Sequence, residues 1–438
     1  MNHILSKYLF YYPVTLLKGE YVQKYLKMYT KNQHLEYNNL KELQDNYLTD
    51  ILKYASQNSP YYEKIIGNNC NISNFRKIPF LTKKALIENI NQICTKESKG
   101  AAVKTTGGST GEPVKLFKNA DALARERAAT WRSYAWAKIY IGDRQARFWG
   151  IPHSKKNAQI AKIIDFISNR KRVSAFNLTT ESLNYYHKTF LKFKPKYLYG
   201  YVSVIRSYSA HIKQNNLPPL PSVQSIVTTS EVLSSTDRLF IESVWGVKVF
   251  NEYGCGEVGS IAHECEYGSM HIMTDNLYLE IVDSAGYPIE TGEVVVTDLF
   301  NLATPLIRYK IGDFATLDNS ECPCGRRLPV LKEIHGRMYD IIKTKGGKSV
   351  HPEAFIYIFE EIQQKFQAFN QFQIVQKTIE NIDINFIATP KWDVSLEEII
   401  RQKISAKIDS NFKLNFIPVT QINREPSGKM RVVKSHIS

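Results

Sequence analysis

The residues best suited to chemistry stand in one short run, Thr105-Thr106-Gly107-Gly108-Ser109-Thr110-Gly111-Glu112-Pro113. Its glycines let backbone N–H groups approach an anion closely and its hydroxyls add donors, so the run can cradle phosphate. It has no GK[ST] ending and reads into a strand at 114–117, which separates it from a Walker A loop. Alone, such a cluster would mark only a surface turn.

A second constellation is Cys265, His271, Cys322 and Cys324, spaced C-x5-H and C-x-C. Three thiolates and one imidazole complete a tetrahedral donor set for structural zinc. His263 and Cys255 are rival ligands, and buried thiols without metal are the plainer alternative. With Cys70 and Cys94 the chain has six cysteines; in a long chain without a secretion signal, disulfides are not expected.

Helices and strands must hold these groups in place. Apolar positions at three- to four-residue spacing predict helices through a cap over about 1–100, including 47–62 and 83–93. From 103, β-rich runs alternate with helical patterns (helix 120–139 then strand 146–150, strand 225–229 then helix 234–244), which predicts an α/β core with much parallel sheet. Strands at 277–282, 292–298 and 306–309 then follow without helices, a β-rich subdomain over about 272–336. Beyond 337 a compact α+β unit is expected: helix 353–366, strands near 372–375 and 384–388, a helix opened by a Ser395/Glu398 capping box, and a strand at 416–421. The fold class is therefore α/β, with a large domain at 1–336 and a small one at 337–438. A chain of 438 residues suits that division.

An apolar fraction of 43% and a charged fraction of 23% exclude disorder. The net charge of +15 is spread along the chain in ones and twos, which favours polyanionic small ligands or an acidic membrane surface. No recognition-helix or aromatic-interleaved basic motif points to nucleic acid. Without a run of about 20 apolar residues or a cleavable leader, the expected location is cytoplasmic. Residues 8–17, aromatic and flanked by Lys7 and Lys18, would either rest in a lipid interface or pack on the parent domain, so peripheral membrane contact stays open.

Further motifs follow the phosphate run in order: Asn251-Glu252-Tyr253-Gly254-Cys255-Gly256-Glu257, Tyr309-Lys310-Ile311-Gly312-Asp313, Gly336-Arg337-Met338-Tyr339-Asp340 and Pro426-Ser427-Gly428-Lys429. From about residue 103 to the end, this series resembles the acyl-adenylate-forming superfamily, and within it the phenylacetate–CoA ligase family with its capsular-polysaccharide-associated branch. Each motif alone is weak; the order carries the resemblance. It implies an adenylation domain with a mobile C-terminal lid. The enzyme would use ATP and Mg²⁺ to turn a small-molecule or sugar-linked carboxylate into acyl-AMP, then pass the acyl group to coenzyme A or an amine.

Residue by residue, the resemblance implies that Thr105 to Gly111 hold the β- and γ-phosphates, that Tyr253 beside Gly254 lies on adenine, and that Ser230 and Glu231 line the opposite wall. Glu257 would help hold Mg²⁺. Asp313 would accept both ribose hydroxyls with help from Arg337, which forms a hinge with Asp340. Lys429 would place its cation over the α-phosphate and the carboxylate. His153 falls where the family keeps an aromatic or histidine in the acyl pocket; Tyr199, within Tyr197-Leu198-Tyr199-Gly200-Tyr201, would wall that pocket or merely end a buried strand. A cysteine–histidine site like the one above occurs in part of the family. Tyr339 replaces the usual acid before Asp340, and Lys343, Lys345 and Lys348 are extra where a second catalytic face would form, so the acceptor stays open. Two rival functions remain: a nucleotidyltransferase passing AMP to an acceptor, and a non-catalytic binding module, against which Glu257, Asp313, Arg337 and Lys429 together speak.

Overall fold

A computed structural model describes residues 2–437 except 69, 107–113, 151–154, 176–177, 319, 338–341, 347–348, 351–352, 410 and 424–430. One sheet of eleven strands organises most of the chain. Its parallel half runs Arg170–Ser174, Gln145–Trp149, Tyr197–Tyr201, Ser225–Thr229, Val249–Cys255. Tyr197–Tyr201 and Ser225–Thr229 are buried along their whole length, as parallel strands covered on both faces must be. The antiparallel half continues from Val249–Cys255 through Gly259–Glu264, Met270–Ile272, Val330–Arg337, Tyr309–Asp318 and Thr291–Asp298 to Leu277–Val282. The α/β core and the β-rich subdomain anticipated from the sequence thus share one ladder.

Helices from the first hundred residues pack on the antiparallel half. Helix Tyr37–Asn58 buries Leu48, Ile51, Leu52 and Ala55 on one stripe, in one core with Ile281, Val294 and Val296. Each large apolar side chain so buried is worth about 1.5–3 kcal/mol. Polar ties fix the register: Tyr29 Oη donates to Asn276 Oδ1 at 3.2 Å, and Tyr62 Oη to the Pro305 carbonyl at 3.1 Å.

Residues from Ile342 on form a separate core against a four-stranded sheet ordered Lys413–Pro418, Asn381–Ala388, Phe369–Gln376, Val433–Ser435, with helices Glu353–Phe366 and Ser395–Lys407.

Several expected boundaries move. The strand anticipated at 306–309 begins at Tyr309, because side chains from elsewhere claim the preceding backbone: Ile307 N–H donates to Tyr62 Oη and Arg308 N–H to Thr297 Oγ1. Helix Ala120–Trp136 stops short of 139, where Lys138 turns to a φ of 58°. Ser395 caps nothing; it lies inside its helix, and Asp393 Oδ1 accepts its N–H at 2.8 Å. The strand expected at 416–421 is Lys413–Pro418, in register with Asn381–Ala388. Val433–Ser435, three residues parallel to Phe369–Gln376, was too short to leave a periodic signal.

Candidate functional site

Strand order explains where a ligand can sit. From Gln145–Trp149 the chain crosses to the edge strand Arg170–Ser174, then returns past Gln145–Trp149 to Tyr197–Tyr201 and onward in the opposite direction. This reversal is a topological switch point, and ligands of open α/β sheets lie beyond the carboxyl ends of the strands beside it. Trp149 and Tyr201 end those two strands, with ring centroids 4.7 Å apart, and Tyr199 lies 5.7 Å from Trp149.

Beyond the neighbouring strand, Ser230 takes a φ of 67°, and Glu231 turns back to accept from the Ser203 N–H (2.7 Å) and hydroxyl (2.9 Å) at the start of helix Val202–Gln214. The Glu231 carboxylate therefore holds a helix N-terminus, as an acid should. It positions the wall of the crevice.

Tyr253, Asp313, Glu257 and Tyr309 converge. Tyr253 Oη donates to Asp313 Oδ2 at 2.9 Å, with both residues buried, and Tyr309 Oη lies 3.4 Å from Glu257 Oε1. The ladder places Asp313 opposite Arg337. Gly254 is required, since a Cβ there would collide with the Gly259 carbonyl where the pair of strands bulges. Gly312, at φ 80°, sets the turn that aims Asp313.

Thr105 and Thr106 end strand Ala102–Thr106, paired antiparallel with Val114–Lys118. A buried ionic network seats this hairpin. Glu126 receives Lys104 at 2.6 Å and Lys118 at 2.9 Å, and Lys118 also reaches Asp298 at 3.1 Å. Glu126 also fills the space above Gly259 (φ 87°), where a Cβ would come within 2.5 Å of it. Burial alone would raise the Glu126 carboxyl, but Lys118 and Lys104 hold it at about 2, against 4.5 ordinarily. This contribution to stability is complete above the unfolded value and disappears as pH falls from about 4.5 toward about 2. Urea midpoints measured at about pH 6 and about pH 3 should therefore separate more for the wild type than for Glu126→Gln.

Three residues of the switch-point wall escaped the sequence reading. Arg147 stands half-buried with its guanidinium 4.5 Å from the Trp149 ring and 4.8 Å from that of Tyr199, and its Nε has no hydrogen-bond partner. Tyr134 Oη donates to Glu252 Oε2 at 2.9 Å. Burial pushes the Glu252 carboxyl above its usual range despite Tyr134 and Arg147. Strand alternation, which sets Gln145, Arg147 and Trp149 on one face, was the signal that could have found Arg147.

Cys265, His271, Cys322 and Cys324 come together, their ligand atoms all within 4.8 Å of one another. Cys265 Sγ and Cys322 Sγ are 3.6 Å apart, and Cys324 Sγ is 3.2 Å from His271 Nε2. His271 Nδ1 lies 2.9 Å from the Leu328 carbonyl, a bond that fixes the ring and leaves Nε2 to ligate. Backbone N–H groups of Tyr267 and Arg326 point at Cys265 and Cys324. Donor type, number and spacing fit a tetrahedral zinc ion. Neither His263 nor Cys255 belongs to the cluster. The candidates Gly107, Gly108, Ser109, Thr110, Gly111, His153, Asp340 and Lys429 lie outside the described residues.

Residues 342–436 match the family described as the CapK C-terminal domain. The whole chain aligns with Protein CapK of Staphylococcus aureus at 26% identity, covering 98% of that protein. A phenylacetate-coenzyme A ligase of Thermus thermophilus is 23% identical over 90% of this chain and 96% of its own length. Among solved structures, a 2-hydroxyisobutyryl-CoA ligase in its postadenylation state, complexed with R3-HIB-AMP, superposes with a TM-score of 0.75 at 18% identity, covering 93% of this chain and 92% of that one.

Proposed function

We propose that the chain is an acyl-adenylate-forming enzyme akin to the phenylacetate–CoA ligases and CapK that it resembles, and that its residues carry out ATP-dependent activation of a carboxylate. The observation that supports this most is the buried Tyr253–Asp313 pair, with Arg337 opposite Asp313 in the ladder and Glu257 against Tyr309 of the same strand.

A substrate carboxylate oxygen attacks the α-phosphorus of ATP; a new P–O bond forms, the bond to the β-phosphate oxygen breaks, and pyrophosphate leaves. Thr105 to Gly111 hold the departing phosphates. Asp313, held by Tyr253, accepts from the ribose, and Tyr253 presents its ring to adenine. Glu257 would help hold Mg²⁺, whose charge would offset that of the triphosphate. Lys429 stabilises charge growing on the α-phosphate. A thiol of coenzyme A or an amine then attacks the acyl carbon, and AMP departs with the electron pair of the acyl–oxygen bond. The unit at 337–438 acts as the lid over the body at 1–336, turning at Arg337 and Asp340 between the two steps.

The crevice wall bears on substrate class. Arg147, Tyr199 and Glu252 make it polar, and His153 follows four residues after Trp149. Such a wall suits hydroxylated or acidic carboxylates, including sugar-linked ones used in surface-polysaccharide synthesis, better than fatty acids. Exchange of labelled pyrophosphate into ATP, screened with aryl, fatty, amino and uronic acids, tests this directly. Exchange driven by one class establishes adenylation; no exchange with any acid despite ATP binding would point instead to nucleotidyl transfer or to a polymer-borne carboxylate absent from the screen.

The cysteine–histidine cluster holds a structural zinc that ties the loop after Glu257 to the β-rich strands. About one zinc per chain should appear by atomic emission, and Cys322→Ser with Cys324→Ser should abolish it and lower thermal stability. An unchanged metal content in the double variant would refute this role. Among the described residues no helix is long and apolar enough to cross a membrane. We propose peripheral membrane contact through residues 8–17.

A further inference from the structure

We propose that the protein docks on anionic bilayers through a composite face in which helix Lys155–Ile167 joins the N-terminal segment; this rests on the peripheral contact just proposed and is independent of the adenylation chemistry. The segment folds as a π-helical turn Ser6–Tyr11 and helix Tyr12–Leu17. Its inner side is fixed: Tyr11 and Tyr12 are buried, and Tyr11 Oη accepts from Trp131 Nε1 at 2.8 Å. Its outer side leaves Leu9 and Leu17 at 62% and 88% exposure, with Ile4, Leu5, Tyr8 and Leu16 beside them.

Helix Lys155–Ile167 turns a second apolar stripe outward. Ile160, Ile163 and Ile164 recur at three- to four-residue spacing, and Ile163 and Phe166 are 60% and 61% exposed. The two parts touch. The Phe10 and Phe166 rings lie 5.6 Å apart edge to face, and Ser6 Oγ donates to the Ile167 carbonyl at 3.2 Å. Adjacent exposed apolar surface on this scale marks an interaction site.

Charge selects the occupant. Lys7 lies 5.0 Å from the Tyr8 ring, Lys18 is exposed at the end of the segment, and Lys24 and Lys27, exposed on the next helix Val22–Asn32, border a cavity shared with Leu16 and Tyr21. Among residues 1–35 the sole acid is Glu20, buried and paired with Arg127 at 2.7 Å. On the helix, Asp165 is neutralised by Arg170 and Arg172. An apolar face with a basic rim fits acyl chains beneath anionic headgroups. A second copy of the chain would instead set two basic rims against each other, which like-charge repulsion opposes.

Sedimentation of the full chain with phosphatidylcholine vesicles, with and without phosphatidylglycerol, tests the face. Binding should require phosphatidylglycerol, weaken with added salt, and fall about tenfold in Leu17→Glu and again in Ile163→Glu. Pyrophosphate exchange in solution should be unchanged in both variants; if the wild type shows none, thermal melting serves as the folding control, and the vesicle result still stands. No binding at low salt, binding indifferent to Ile163→Glu, or a dimer dissolved by Leu17→Glu without vesicle binding would each overturn the proposal.

Discussion

Replacing Lys429 with alanine should reduce carboxylate-dependent pyrophosphate exchange by about 10²–10³-fold, the usual cost of removing one preorganised group aimed at charge that develops in a transition state. In the proposed reaction the α-phosphate oxygens and the incoming carboxylate would bring negative charge together at Lys429 during attack. A single ammonium there is worth far more than on the surface. Arginine should not restore activity, because its planar fork cannot occupy the position of a compact point charge. A second readout separates this role from a folding defect: supplied with preformed acyl-adenylate, Lys429→Ala should still transfer the acyl group at near wild-type rate. Equal loss of both half-reactions would show that Lys429 does not act at the α-phosphate.

Asp313→Ala should lower kcat/KM for ATP by about 10–10²-fold, since hydrogen bonds to a charged acceptor are worth about 1.5–3 kcal/mol each. Asp313 is held by Tyr253 on one side, so the substitution also strips a buried phenol of its acceptor. Asp313→Asn keeps a neutral acceptor for that phenol and should fall between. The ribose role predicts a specific coupling: the wild type should disfavour 2′-deoxy-ATP, and Asp313→Ala should discriminate little between the two nucleotides. Undiminished discrimination in the variant would reassign Asp313 to a purely structural bond with Tyr253.

Fold class was legible because periodicity is local. Leu48, Ile51, Leu52 and Ala55 announce a buried helical face, and Ser225 to Thr229 a buried strand, without knowledge of any partner. What escaped depends on partners distant in sequence. Tyr62 claims the Ile307 N–H from 245 residues away, and so shortens a strand that its own residues would favour. Lys118 and Asp298 are 180 residues apart, and either alone looks like an ordinary surface charge. Chemistry-bearing residues were easier to find where spacing was tight, as in Cys322 and Cys324, than where a strand carried one unusual member, as with Arg147. The Ser395–Glu398 pattern failed for a local reason: Asp393, two residues earlier, competes for the same backbone N–H and is closer to the geometry it needs.

The core shared by the first hundred residues and the strands after Leu277 has a consequence for synthesis on the ribosome. Tyr29 waits for Asn276 and Tyr62 for Pro305, so the amphipathic helices emerge long before the surface that buries them. Contacts of such high sequence separation form late and slowly. For most of translation the nascent chain therefore trails an uncovered apolar stripe, the condition in which growing chains aggregate or recruit chaperones. Fragments ending before about residue 300 should be insoluble however well their own helices form, while the segment from Ile342 on, with a core of its own, owes nothing to that delay.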